Sequence, residues 1–302
     1  MITFRSVSPT LKIVAVVAAS LALGSFHEAR GSVSYLTPGS TYSQNFDSLP
    51  NTPLNQTLGN SPIGWIDDTT TPGTSQFSIL GWYLYHPLVL AEGGANGHQR
   101  VRIGAGTANV GAFMSWGASG STDRALGDLG SNTLAPATPA AGSDIYIGLR
   151  LRNDTGVTLD TFTLTYNGEQ WRDGGATVPN AQSMNFMWST TATAISDPNS
   201  AFNPVAALDF TSPVFVNTGS GAAVDGNTAG RVNGITATVT GFSWAPGTDL
   251  WLRWDDLSSI GNDHGLAIDD LSFVANYTVV PEPSAFALLG FGLTGLLAIR
   301  RR

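Results

Sequence analysis

The chain has 302 residues, no cysteine, 35 glycines and a formal net charge of −8. The lack of thiols excludes disulfide frameworks, Cys-type zinc sites and thiol nucleophiles. The acidic balance excludes nucleic acid and anionic lipid as partners of the body.

Residues 1–31 carry Arg5 and Lys12, then an apolar run from Ile13 to Leu23, then small residues. That order predicts a secretory signal peptide, helical in its apolar part, with cleavage after Gly24 or nearer Ala29. Residues 32–279 form the body, which is the size of one β-sandwich domain. The body holds eight arginines and no lysine against twenty acidic residues, a net charge of −12. An exported body without disulfides must be stabilised by its core, by bound ions or by both.

Within the body, apolar residues alternate and no long stretch repeats at helical spacing, so strands are predicted throughout. In chain order they are Thr41–Phe46, Gln76–Leu80, Arg100–Ile103, Ala112–Trp116, Ile145–Arg152, Leu159–Tyr166, Met184–Trp188, Ile235–Phe242, Leu250–Trp254 and Leu266–Val274. Ile145, Ile147, Leu149 and Leu151 face one way, and Tyr146, Arg150 and Arg152 the other. Asn153–Gly156 reads as a turn, after which Leu159–Tyr166 runs back. The Ala/Pro-rich stretch 131–142 and the Gly/Asn-rich stretch 217–231 read as loops. About ten strands with regular turn signals predict an all-β, antiparallel sandwich of the jelly-roll kind.

The last residues combine three signals. Pro281-Glu282-Pro283 precedes residues 284–299, which carry no charge, and Arg300-Arg301-Arg302 ends the chain. The uncharged stretch is a little shorter than the ~20 residues of a full transmembrane helix, and the arginines would stay on the cytoplasmic side. The arrangement, residues 280–302, resembles the PEP-CTERM sorting signal of exported Gram-negative proteins. The resemblance implies recognition by an exosortase-type membrane protease and membrane attachment through this segment before processing. It also implies removal of the tail and delivery to the envelope, outer surface or extracellular matrix, often beside exopolysaccharide.

The body carries a second resemblance. Asn45-Phe-Asp47, Arg124–Gly127, Gly168-Glu-Gln-Trp-Arg172, Asp225-Gly-Asn227 and the acidic run Asp255–Phe273 are similar to a jelly-roll, concanavalin-like β-sandwich module, spanning about 41–274. Such modules are non-catalytic or carbohydrate-binding as a class, and many hold a structural calcium. Calcium takes six to eight oxygens. If the first and last strands lie side by side, as in such sandwiches, Asp47 would meet Asp269 or Asp270. Asp pairs at strand ends also serve as turn caps.

Glu169 and Arg172 are the next polar pair, read either as a binding carboxylate or as a structural pair that Trp171 shields from water. Glycosidase chemistry needs two carboxylates at a fixed separation, and no sequence pattern pairs any here. His86, His98 and His264 lack metal-ligand spacing. Among the many aromatics, Trp82, Tyr83 and Tyr85, in a loop or short strand, are the candidate glycan platform, because sugar C–H surfaces stack on aromatic rings.

These readings support an exported, non-enzymatic envelope or matrix protein that binds glycan or exopolysaccharide. The alternative is a polysaccharide hydrolase or lyase on the same sandwich. A third reading is ice binding, which expects flat Thr-x-Thr arrays; Thr161-Phe-Thr163 and Thr236-Ala-Thr238 read as isolated strand alternation.

Overall fold

A computed structural model describes residues 31–52, 57, 58, 65, 78–87, 101–131, 134, 135, 144–216, 219–257 and 262–278. The predicted signal peptide (residues 1–30 of it), the tail from residue 279 and His98 lie outside the described residues. Among the described residues, no helix is long and apolar enough to cross a membrane.

The strands are β1 (Val33–Tyr35), β2 (Thr41–Gln44), β3 (Thr57–Leu58), β4 (Trp82–Tyr85), β5 (Val101–Gly104), β6 (Ala112–Trp116), β7 (Ala125–Leu129) and β8 (Asp144–Asn153). The second half adds β9 (Leu159–Asp173), β10 (Ser183–Ser189), β11 (Asn203–Pro204), β12 (Phe210–Thr211), β13 (Ala222–Ala223), β14 (Arg231–Trp244), β15 (Asp249–Leu257) and β16 (Gly265–Asn276). They form a β-sandwich of a seven-stranded sheet, ordered β1-β8-β15-β10-β11 with β4 and β12 alongside, and a nine-stranded sheet. The latter runs β13-β9-β16-β7-β6-β5-β3, with β14 on β9 and β2 on β16. Pairing is antiparallel except for β1 with β8 and β5 with β6.

Between the sheets the alternating residues meet as one core. Ile145, Ile147, Leu149 and Leu151 from β8 face Leu164 and Tyr166 from β9 and Leu266, Ile268 and Phe273 from β16. Aromatic rings fill its centre: Trp82 stacks on Trp254 at 5.9 Å, and Phe46 meets Trp82 edge-on at 4.7 Å. Burial of such rings supplies the stabilisation that disulfides give other exported domains.

Two local expectations change. The turn at Asn153–Gly156 exists, but it joins the two sheets rather than two paired strands, since β8 and β9 pair with different partners. The buried Asn153 side chain fixes this arch: its amide donates to the Val157 and Trp244 carbonyls at 2.8 and 2.7 Å, and its oxygen accepts from the Thr155 amide at 3.0 Å. β7 escapes sequence reading because Gly127 and Asp128 are poor strand formers. Gly127 is required there, since a Cβ would sit 1.9 Å from the Leu266 carbonyl of β16.

The expectation for the early and late strands holds: β2 pairs with β16, Gln44 opposite Leu271. The expectation that the Thr-x-Thr pairs are isolated does not. Thr161, Thr163 and Thr165 of β9 stand opposite Thr240, Thr238 and Thr236 of β14.

Candidate functional site

The outer face of the seven-stranded sheet carries aromatic and charged side chains in register. Tyr85 of β4 lies opposite Tyr146 of β8, which lies opposite Asp255 of β15, which lies opposite Asn185 of β10. Tyr85 and Tyr146 stack at 5.5 Å between ring centres, and Tyr83 meets Trp251 edge-on at 4.8 Å. Tyr83 and Tyr85 are half-buried, whereas Tyr146 and Trp251 are buried beneath their neighbours. Arg150 lies over Trp251 at 5.5 Å and donates to Asp249 at 3.0 Å through Nε. Strand alternation dictates this split. Trp82 points the other way, is 0% exposed and belongs to the core, so it cannot join a platform with Tyr83 and Tyr85.

Residues 190–202 form a strap across the same face. Gly148 makes room for it, because a Cβ there would lie 2.7 Å from the Ile195 side chain. Arg253, 0% exposed, pins it from below. Its Nη1 donates to the Ile195 and Asp197 carbonyls at 3.0 and 2.8 Å, and its Nη2 to Asn199 Oδ1 at 2.6 Å. The guanidinium is held between the Tyr146 and Phe202 rings at 4.1 and 3.7 Å. Asn199 in turn donates to Asp144 at 3.3 Å and Asp255 at 3.1 Å. Burial first, and the neighbouring Asp144 second, push the Asp255 carboxyl up to about 7.

The second polar centre lies on the nine-stranded sheet, where β9, β16 and β14 meet. Glu169, 1% exposed, accepts from Trp171 Nε1 at 2.9 Å and pairs with Arg231 at 3.2 Å. Its ionic partner is therefore Arg231 rather than Arg172, whose Nη1 donates to the Gly106 carbonyl at 2.8 Å. Burial raises Glu169 to about 7. Asp269, also buried, has one oxygen with no hydrogen-bond partner, and burial followed by repulsion from Glu169 raises it to about 8. Asp270 is different: the chain turns at φ 48°, and its carboxylate faces out to take Arg231 at 2.7 Å and Asn167 at 2.9 Å. Asp47 accepts from Asn45 Nδ2 at 2.6 Å and the Arg124 amide at 3.4 Å, with no hydrogen bond or ion pair to Asp269 or Asp270.

A hard cation would suit the orphaned Asp269 oxygen and the adjacent Glu169 by donor type. Among the described residues no three His, Asp or Glu side chains converge as a metal cage, so backbone carbonyls and water would have to complete the shell.

The histidines are structural where they are described. His264 is buried; its Nδ1 lies 3.1 Å from the Gln170 side-chain amide and its Nε2 lies 3.4 Å from Asp173. Burial lowers its pKa, which keeps it neutral. The amide donor fixes the tautomer with its proton on Nε2. His86 is buried beside Phe113, 5.9 Å between ring centres. Sequence reasoning missed Tyr146, Arg253, Asn199 and Asp255 as a group. The period-2 pattern placed Tyr146 outward, but nothing in it showed that residues 190–202 would fold over that face.

A PEP-CTERM protein-sorting motif matches residues 279–302. It implies processing by an exosortase, a membrane protein, and export with sorting to the cell envelope or surface. No curated protein matches the chain. Among solved structures, the CBM22-1 xylan-binding domain of Paenibacillus barcinonensis Xyn10C is 7% identical, with 81% of this chain and 100% of that one covered, at a TM-score of 0.33. The K3 cleaved adhesin domain of Lys-gingipain from Porphyromonas gingivalis is 15% identical over 53% of this chain and 78% of that one, at 0.29. The enzymatically active domain of tailspike protein 4 from bacteriophage CBA120 is 9% identical over 65% of this chain and only 19% of that one, at 0.27.

Proposed function

We propose that this chain, with its PEP-CTERM sorting motif at residues 279–302, is a non-catalytic protein of the Gram-negative cell surface or matrix that binds a glycan. The ligand would lie on the outer face of the seven-stranded sheet. The observation that carries this reading is the half-buried Tyr83 and Tyr85 pair, each ring backed by a buried aromatic, Trp251 or Tyr146. Rings held from behind present their faces to sugar C–H surfaces with little loss of side-chain freedom. Arg150, Asp249 and Asn185 add hydrogen-bonding groups around them. A non-catalytic role is favoured by the engagement of Glu169 and His264 in buried networks. Exopolysaccharide, which the sorting signal often accompanies, is the first glycan to test. In affinity electrophoresis or calorimetry against isolated exopolysaccharide, Tyr85→Ala is expected to weaken binding about tenfold, the usual effect of losing an anchoring aromatic. Flat titrations against a broad glycan panel would end this reading.

Calcium belongs to the same proposal as a structural ion near Asp269. A bound ion would stabilise the folded state by mass action. Chelator is expected to lower the melting temperature, and Asp269→Asn to abolish that sensitivity. A melt indifferent to chelator removes the ion.

A further inference from the structure

The outer face of the nine-stranded sheet, away from its acidic centre, is a regular grid of small uncharged side chains. Three rows cross the strands in register. Thr236 of β14, Thr165 of β9, Ser272 of β16 and Ser43 of β2 form the first. Thr238, Thr163, Val274 and Thr41 form the second, and Thr240, Thr161 and Asn276 the third. All eleven are exposed or half-buried, and none is charged or aromatic. On a body with net charge −12, an uncharged area of this extent stands apart. The nearest charged groups border it: Arg231 paired with Asp270 at one end, and Asp160, which accepts from the Thr278 amide at 2.9 Å, at the other.

The grid is ordered as well as neutral. The register shifts of β14 fall between Val232 and Ile235 and between Thr240 and Trp244, and those of β16 between Gly265 and Leu266 and between Asp269 and Ser272, so none interrupts the rows. Thr163 and Thr238 share a hydroxyl–hydroxyl hydrogen bond of 2.8 Å, and Thr165 and Thr236 one of 2.7 Å. Threonine is stiff at χ1, and these bonds fix it further. The side-chain positions therefore repeat at about 4.8 Å across the strands and about 6.7 Å along them, with the bonded hydroxyls of β9 and β14 drawn together in pairs.

We infer that this face binds the surface of an ice crystal. A rigid, uncharged lattice of alternating methyls and hydroxyls can hold water at lattice spacing, because its hydroxyls bond water while its methyls impose the positions in between. The repeat is on the scale of the oxygen spacings on a face of ice. The grid lacks what other occupants need: there is no charge for an ionic partner and no aromatic ring for sugar stacking. The inference goes beyond the glycan reading and is independent of it, since the two faces belong to opposite sheets.

The test is partition of the purified full chain into slowly growing polycrystalline ice, with ice-recrystallisation inhibition measured in parallel. The wild-type protein is expected to enter the ice and to hold crystal size down. Thr163→Lys/Thr238→Lys is expected to reduce incorporation about tenfold with an unchanged far-UV spectrum and melting temperature. Should that pair disturb the sheet, Thr240→Lys on the exposed strand serves in its place. Tyr85→Ala, on the opposite sheet, should enter ice like the wild type. Exclusion of the wild type from ice would overturn the inference, as would full incorporation of the folded lysine variants. Retention on microcrystalline cellulose without retention on ice would overturn it as well.

Discussion

Arg253→Ala is expected to destabilise the protein by about 3–5 kcal/mol, the usual cost of removing one member of a buried charged network. At roughly 2–4 °C per kcal/mol for a domain of this size, the melting temperature should fall by about 6–20 °C. Arg253 bonds the strap at three points, through Ile195, Asp197 and Asn199. Its removal leaves two carbonyls without their donor and opens a cavity between the Tyr146 and Phe202 rings. It also strips positive charge from the Asp144–Asp255 pair, so the loss should grow with pH. Limited proteolysis should move to residues 190–202. Arg253→Lys keeps the charge but not the planar fork, and should recover only part of the loss. An Arg253→Ala protein within about 1 kcal/mol of wild type would mean that packing alone holds the strap.

The second large effect is in the pH profile. Asp128 of β7 and Asp256 of β15 point into the sandwich from opposite sheets, and burial raises both well above the ordinary carboxylate range. Neither Asp128 oxygen meets an N–H or O–H donor, and the neighbouring group is the Asp256 carboxyl. Two such groups can share a hydrogen bond only if one is protonated. Asp255 and Glu169, at about 7, and Asp269, at about 8, share the direction.

A raised carboxyl pKa means that the folded chain holds protons the unfolded chain has released. Below about pH 4 both states are protonated and nothing is lost. From there up to the folded values, stability falls as pH rises. Above them the penalty is complete. Melting temperature should therefore be highest near pH 4–5 and decline steadily to pH 9. Asp256→Asn removes one of the two buried carboxyls and offers Asp128 an N–H donor. The variant should melt near wild type at pH 5 and about 5 °C higher at pH 8–9. A wild-type profile that rises with pH, or an Asp256→Asn profile parallel to it, would show that these carboxyls are ionised in the fold.

Individual elements show how far local pattern carries. Ala112–Trp116 is a strand with the bounds its alternation predicts, and Ile145–Arg152 needs one more residue at each end. Leu159–Tyr166 continues to Asp173, because the half-buried Arg231 and the buried Trp171 allow Glu169 to sit in a sheet. The acidic pair Asp269-Asp270 looks uniform in sequence. A positive φ at Asp270 sends one carboxylate out to Arg231 and leaves the other buried. The Trp82–Tyr85 run likewise splits between core and surface at each step.

The sequence by itself determined the all-β class, the C-terminal sorting motif, the lysine-free acidic body and most strand positions. Each depends on residues near one another in the chain: side-chain period, turn residues, and the order of motif, apolar run and arginines. Only the tertiary structure decided which strands pair, and pairing is what creates sites. It stacked Tyr85 on Tyr146, folded residues 190–202 over Arg253, set Asp128 against Asp256, and aligned threonines more than seventy residues apart into one surface. Register between distant strands is set by how whole faces bury together, and no local pattern contains that information.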